Sequence, residues 1–120
     1  MELQLRQAVG KLAALAQESR LRIFRLLVEA GDHGLNAGAI AEALELPPAT
    51  LSFHVAHLTR AGLVEARQES RFIFYSVSYR AMDDLIAYLA RNCCQGKACL
   101  PKTAAVGAAA TGRKPARKAA

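Results

Sequence analysis

The chain lacks any uninterrupted apolar stretch of the roughly 18 residues that a membrane span requires. Residues 1–6 mix charged and polar side chains and do not resemble a secretory signal. The sequence also lacks a glycine-rich phosphate loop, and no His or Asp lies beside its cysteines to activate a nucleophile. We therefore expect a cytoplasmic protein that makes no membrane contact and is not an enzyme.

The positive charge is unevenly placed along the 120 residues, a length typical of one domain. The net charge is +6, but residues 101–120 contain five basic residues and no acidic one. Any affinity of the remaining chain for nucleic acid must therefore come from a local patch. Residues 101–120 are rich in Ala and Gly, and we expect them to form a disordered basic tail.

The first part of the chain has helical periodicity interrupted by capping and stop signals. Ser19 and Asn36 are candidate N-caps, and Gly31 is a natural helix stop. Pro48 is acceptable in the first turn of a helix. These patterns predict helices over residues 2–16, 20–30, 37–44 and 48–61.

The period changes to that of β-structure after Gly62. Residues 63–67 and 72–77 are two strand-like runs around a polar turn at 68–71, and Ser78 can cap a final helix from Tyr79 to about residue 92. A short helix, a turn, a longer helix and a hairpin form a winged helix-turn-helix. The sequence therefore predicts a mainly α fold with a small β-hairpin, in one DNA-binding domain over residues 1–92.

The predicted helix 48–61 has an outer face of mostly short side chains, which allows close approach to base edges in a major groove. Candidate DNA contacts on this helix are Thr50, Ser52, Phe53, His57 and Arg60. Arg67 and Arg71 flank the hairpin turn and are candidates for minor-groove or phosphate contact. His54 falls on the inner stripe, so we expect a hydrogen-bonded core histidine there. Capping, solvent exposure and pairing with Glu69 remain alternative roles for these side chains.

Three sequence blocks resemble the ArsR/SmtB family of metal-responsive repressors. They are residues 15–27 (LAQESRLRIFRLL), residues 50–64 (TLSFHVAHLTRAGLV) and residues 74–77 (FYSV), and the resemblance extends over about residues 5–92. It implies a homodimer joined by the first and last helices and bound to a pseudo-palindromic operator. It also implies release from DNA by a toxic metal or metalloid.

Two differences from the family pattern reduce the number of metals or metalloids that we expect as the inducer. Residues 40–44 lack the Cys-x-Cys pair that some members carry, and no His follows Asp83 and Asp84 on the last helix. The soft ligands are instead Cys93, Cys94 and Cys99, in a segment over residues 93–100. This layout resembles the arsenite-responsive members.

Three clustered thiols in a chain of this kind favour metal or redox chemistry over a disulfide framework. Trivalent arsenic is thiophilic and takes three ligands in a pyramid, whereas structural zinc takes four. Gly96 permits the reversal that returns Cys99 towards the pair, and Lys97 favours thiolate. The expected ligand is As(III) or Sb(III), an inducer rather than a prosthetic group, bound by Cys93, Cys94 and Cys99.

Other interpretations of the cysteines stay open. Methylated or aryl arsenicals need only two thiols, and lead, cadmium or zinc are further candidates. The cysteines can instead form disulfides, which would make the protein a repressor switched by oxidation. The cysteines can also be packing residues with no regulatory role, in a regulator that does not respond to metal.

Overall fold

The computed structural model describes residues 3–96, and the helices and strands of this part follow the predicted order. The predicted basic tail over residues 101–120 and residues 97–100 of the predicted cysteine segment lie outside the described residues. The helices are α1 (Leu5–Leu15), α2 (Glu18–Ala30), α3 (Ala37–Leu44), α4 (Pro48–Arg60) and α5 (Tyr79–Ala90). The strands are β1 (Leu35–Asn36), β2 (Val64–Glu69) and β3 (Phe72–Val77). The fold is a winged helix-turn-helix, as predicted.

Side-chain caps explain where three of the helices begin. The Asn36 side chain accepts a hydrogen bond from the backbone N–H of Ala39, and the Ser78 side chain accepts one from Ala81, so both predicted caps are confirmed. The prediction of Ser19 as the cap of α2 was wrong. Gln17 caps this helix by accepting from the N–H of Arg20, and α2 therefore begins two residues earlier than predicted.

The hydrophobic core lies between α2, α3, α4 and the sheet. Its largest fully buried side chains are Ile23, Leu27, Ile40, Leu51, Leu58, Leu63 and Val64. Burial of one such side chain contributes roughly 1.5–3 kcal/mol to stability. The core therefore fixes the inner face of α4 and leaves its outer face for contacts outside the protein.

The sheet has three antiparallel strands in the order β1–β3–β2, where the sequence predicted only the β2–β3 hairpin. In β1, Leu35 pairs with Tyr75 and Asn36 pairs with Phe74. The preceding residue, Gly34, has φ +77°, and a Cβ atom there would overlap the carbonyl oxygen of Tyr75. Glycine at this position is therefore needed for β1 to approach β3.

The turn between α3 and α4 has the short geometry that the sequence predicted. Glu45 adopts a left-handed conformation at φ 56°, and the N–H of Leu46 bonds to the carbonyl of Ala41. Pro47 is extended and precedes Pro48 at the first position of α4. This turn holds α4 across α3 as the second helix of the motif.

An apolar surface remains uncovered on α1 and α5, which pack against each other. Its exposed side chains are Leu5, Val9 and Leu12 on α1 and Ile86 and Leu89 on α5. Large apolar side chains grouped in this way commonly mark an interaction surface. Within the described part of the chain, no helix is long and apolar enough to cross a bilayer.

Candidate nucleic-acid interface and cysteine segment

The outer face of α4 carries the residues predicted to contact DNA. Thr50, Ser52 and Phe53 are all exposed, and Phe53 exposes 62% of its surface. They lie in the first half of the helix, the part that contacts base edges in helix-turn-helix proteins. Nothing in the structure tests their contacts with DNA, and these stay predictions.

His54 belongs to the buried face of α4, as the periodicity predicted. It is 8% exposed, and its Nδ1 atom lies 3.3 Å from a guanidinium nitrogen of Arg20. Burial lowers the pKa of His54 below its usual 6.5, and the positive charge of Arg20 lowers it further. The imidazole is therefore held in its neutral form, in which Nδ1 can accept a hydrogen bond from Arg20.

Two further predicted contacts lie in the last turns of α4. His57 is partly buried, and its Nδ1 atom is buried without a hydrogen-bond partner among residues 3–96. Arg60 is exposed at the end of the helix, where a cation is favoured by the helix dipole. Arg60 is therefore accessible to a phosphate, whereas His57 can present only part of its ring.

Arg67 is held against the protein surface by three contacts. Its Nε donates to the Glu69 carboxylate at 2.8 Å, and a terminal nitrogen donates to the carbonyl of His33 at 2.9 Å. Its guanidinium also lies 5.5 Å from the ring centroid of Phe74. These contacts connect the β2–β3 hairpin, which is the wing of the fold, to the turn that precedes β1. Arg67 therefore stabilises the position of the wing.

Arg71 occupies a different place, at the tip of the hairpin. Glu69 pairs with Phe72, so the turn contains only Ser70 and Arg71, and Ser70 has φ 60°. The turn is thus two residues shorter than the polar run at 68–71 suggested. Arg71 is exposed there, which makes its guanidinium more accessible to a DNA phosphate than that of Arg67.

The cysteine pair lies where regular helical geometry ends. Arg91 has extended backbone dihedral angles, and Cys94 and Gln95 have left-handed φ values of 53° and 58°. The Sγ atoms of Cys93 and Cys94 consequently lie 3.7 Å apart. The third predicted ligand, Cys99, lies outside the described residues.

The two sulfurs differ in state and environment. Cys93 is a partly buried free thiol, whereas Cys94 takes part in a disulfide. Cys93 lines an open apolar cleft of about 250 Å³ together with Ile86, Leu89 and Ala90. Among residues 3–96, no group of three or more His, Cys, Asp or Glu side chains is placed to hold a metal ion.

Two contacts that hold α4 in place have no recognisable signal in the sequence. Arg20 reaches His54 across 34 residues, and Lys11 donates to the carbonyl oxygen of Ala61 across 50 residues. Each acceptor comes close to its donor only when the helices pack together in the folded chain. The fixed inner face of α4, its exposed outer face and the hairpin beside it define the class of winged helix-turn-helix DNA-binding proteins.

Comparisons with known proteins agree with this class and identify the family within it. Residues 15–67 match a family model described as a helix-turn-helix domain. The transcriptional activator HlyU of Vibrio cholerae is 39% identical over 95 residues, which cover 79% of this chain and 85% of HlyU. The chain belongs to the ArsR/SmtB-like winged-helix family of transcriptional regulators and is not an enzyme.

Solved structures give the same result. A structure of HlyU from V. cholerae N16961 is 38% identical, covers 79% of this chain and 100% of that chain, and has a TM-score of 0.61. An ArsR-like regulator from Rhodococcus sp. RHA1 is 27% identical, with 71% and 77% coverage and a TM-score of 0.63. The homodimeric winged helix-turn-helix domain Mb0332 of Mycobacterium bovis is 26% identical, with 81% and 90% coverage and a TM-score of 0.59.

Proposed function

We propose that the protein is a homodimeric repressor that binds operator DNA and releases it when thiols at the end of α5 bind As(III) or Sb(III). The observation that carries the proposal is the 3.7 Å separation between the Sγ atoms of Cys93 and Cys94. A centre bonded to both sulfurs at about 2.3 Å, the length of a zinc–thiolate bond, fits this separation with an angle close to tetrahedral. Cys99 would supply the third thiolate.

The dimer is supported by the uncovered apolar surface of α1 and α5. Leu5 and Leu89 expose 66% and 60% of their surfaces to solvent, which is unfavourable for side chains of this size. Pairing of this surface with a second copy would bury them, and the similar protein Mb0332 is homodimeric. We expect Leu89→Glu to give a monomer in analytical ultracentrifugation, whereas Leu21→Glu, at an exposed leucine on α2, leaves the dimer intact.

The position of the cysteines explains how a bound ion would act on DNA affinity. Cys93 and Cys94 follow α5, α5 packs on α1, and α1 packs on α4. Drawing the thiolates around one ion would therefore displace α5 within the dimer contact and change the spacing of the two α4 helices. A hundredfold loss of DNA affinity requires about 2.7 kcal/mol, within the usual range of allosteric coupling.

The proposal is tested by release of a fluorescent DNA duplex selected from a random pool by the wild-type protein. The protein is first reduced with a phosphine, because dithiol reductants compete for arsenite and Cys94 must be a free thiol to bind it. We expect arsenite to release the wild-type protein but not Cys93→Ser, Cys94→Ser or Cys99→Ser. Arsenate, which has no comparable affinity for thiols, serves as the control ligand. Release of the Cys94→Ser variant by arsenite would contradict the proposed site.

Oxidation of the cysteines is a second candidate switch, and the disulfide of Cys94 beside the free Cys93 favours it. Thiols so placed can exchange disulfide partners without large movement. In this case peroxide would release DNA from the wild-type protein, a phosphine would restore binding, and arsenite would have no effect. The same binding assay therefore separates the two candidates.

A further inference from the structure

Lys11 on α1 forms a charged contact with the end of α4. Its Nζ atom donates to the carbonyl oxygen of Ala61 at 2.8 Å, in a partly buried position. Ala61 is the residue at which α4 ends. The contact therefore joins a helix of the uncovered apolar surface to the helix that carries the predicted DNA contacts.

The position of this hydrogen bond at the end of a helix makes it more favourable than an ordinary hydrogen bond on the surface. The last carbonyl groups of a helix lack intrahelical partners and carry the negative end of the helix dipole, so an ammonium group there is favoured. The next residue, Gly62, has φ +82°, and a Cβ atom on it would approach Nζ of Lys11 to 3.3 Å. The lysine thus lies tightly against the bend at which the chain leaves α4.

Arg20 provides a second connection between the same two helices. Its Nε donates to the carbonyl oxygen of Ala14 near the end of α1 at 2.7 Å, and a terminal nitrogen lies 3.3 Å from Nδ1 of His54. The two cationic side chains hold α4 at its middle and at its C-terminal end. Two separate attachment points restrict the rotation of α4 relative to α1 more than either contact alone.

We propose that Lys11 is a positioning residue that fixes the angle of α4 relative to the dimer surface and thereby sets the half-site spacing that the protein accepts. This inference rests on the proposed homodimer. Two recognition helices must lie about 34 Å apart to enter successive major grooves. Because α1 carries Leu5, Val9 and Leu12 towards the second copy, a change in the angle between α1 and α4 changes that separation.

The test compares Lys11→Met with Arg6→Met, which removes one positive charge from an exposed position on the same helix. Affinities are measured for the full duplex selected by the wild-type protein, for a single half-site, and for duplexes with one base pair added or removed at the centre. We expect Lys11→Met to lose about tenfold in affinity for the full duplex relative to Arg6→Met, as for loss of one charged hydrogen bond. Its half-site affinity should equal that of Arg6→Met.

The spacing series gives the decisive readout. The wild-type protein and Arg6→Met should bind the altered spacings much more weakly than the selected one, and Lys11→Met should lose most of this discrimination. Lys11→Arg retains a donor that can reach Ala61 and should restore it, which also covers the case in which the methionine variant is poorly folded. Equal loss on half-site and full duplex, or unchanged discrimination in Lys11→Met, would overturn the inference. Failure of the wild-type protein to dimerise or to bind DNA would instead refute the proposed function.

Discussion

Arg20 and His54 form a polar contact inside the protein, with a guanidinium nitrogen 3.3 Å from Nδ1 of the imidazole. Arg20 comes from α2 and His54 from the buried face of α4. The contact requires a neutral imidazole, because a protonated Nδ1 cannot accept a hydrogen bond and would face a second positive charge. Protonation of His54 would therefore remove one of the contacts that hold α4 against α2.

The first prediction concerns the pH dependence of stability. The pKa of His54 is lowered in the folded protein, first by burial, then by the charges of Arg20 and His57. Below pH 6.5 the unfolded chain consequently binds a proton that the folded protein does not, so the free energy of unfolding falls as the pH is lowered towards the folded-state pKa. Urea unfolding between pH 7 and pH 5 should show this fall in the wild-type protein.

His54→Gln removes the titrating group and should flatten that part of the pH profile. The matched control is His33→Gln, since His33 is exposed and lies outside the core. We expect the control to keep the wild-type slope. An unchanged slope in His54→Gln, with loss of the slope in the control, would mean that His33 and not His54 causes the pH dependence of stability.

The second prediction uses two phenylalanines in opposite environments. Phe53 is 62% exposed on the outer face of α4, whereas Phe24 is 6% exposed in the core. Phe24→Ala should lower the free energy of unfolding by about 3–5 kcal/mol. Phe53→Ala should change it by less than about 0.5 kcal/mol and should instead weaken binding to the selected duplex. Thermal unfolding and fluorescence anisotropy measure the two effects, and a stability loss in Phe53→Ala would place its ring in the core.

The third prediction distinguishes the two arginines of the wing. Arg71 lies at the exposed tip, so Arg71→Ala should weaken binding to all DNA sequences alike and reduce the salt slope of binding by about one. Arg67 is held by Glu69 and the carbonyl of His33, so Arg67→Ala should mainly accelerate hydrogen exchange in β2 and β3. Loss of affinity for one particular base in Arg71→Ala would contradict a phosphate contact.

The fourth prediction concerns the glycine beside β1. Gly34→Ala places a methyl group against the carbonyl oxygen of Tyr75 at a φ of +77° and should destabilise the protein by about 3 kcal/mol. Gly38→Ala is the control, because a Cβ atom there would make an ordinary contact of 3.5 Å with the Asn36 side chain. Chemical denaturation should show the control to be neutral or stabilised by up to about 1 kcal/mol. Equal stability of the two variants would mean that the β1–β3 pairing is loose.

Local signals were sufficient for most of the fold. Asn36, Pro48 and Ser78 mark the starts of α3, α4 and α5, because a capping side chain or a proline acts on the backbone within a few residues. Strand β1 was missed because two residues carry no periodicity, and its hydrogen-bond partner β3 lies about 40 residues further along the chain. Gln17 was missed as a cap because Ser19 offers the more usual capping side chain.

The candidate site was predictable to a smaller extent. The periodicity of α4 separated the buried His54 from the exposed Phe53, since both assignments depend on one helix alone. The roles of Lys11 and Arg67 depend on backbone carbonyl groups of Ala61 and His33, which the folded arrangement brings close. Backbone acceptors have no sequence signature, so contacts of this kind require the structure.

Release of DNA by As(III) can be measured by titrating arsenite into the preformed complex of the reduced protein with its selected duplex, while DNA release and arsenic coordination are followed on the same sample. We expect the DNA to dissociate as one arsenic per chain becomes bound, with three sulfur neighbours in X-ray absorption spectra. A dimer that stays on the duplex with arsenic saturating Cys93, Cys94 and Cys99 would contradict this expectation.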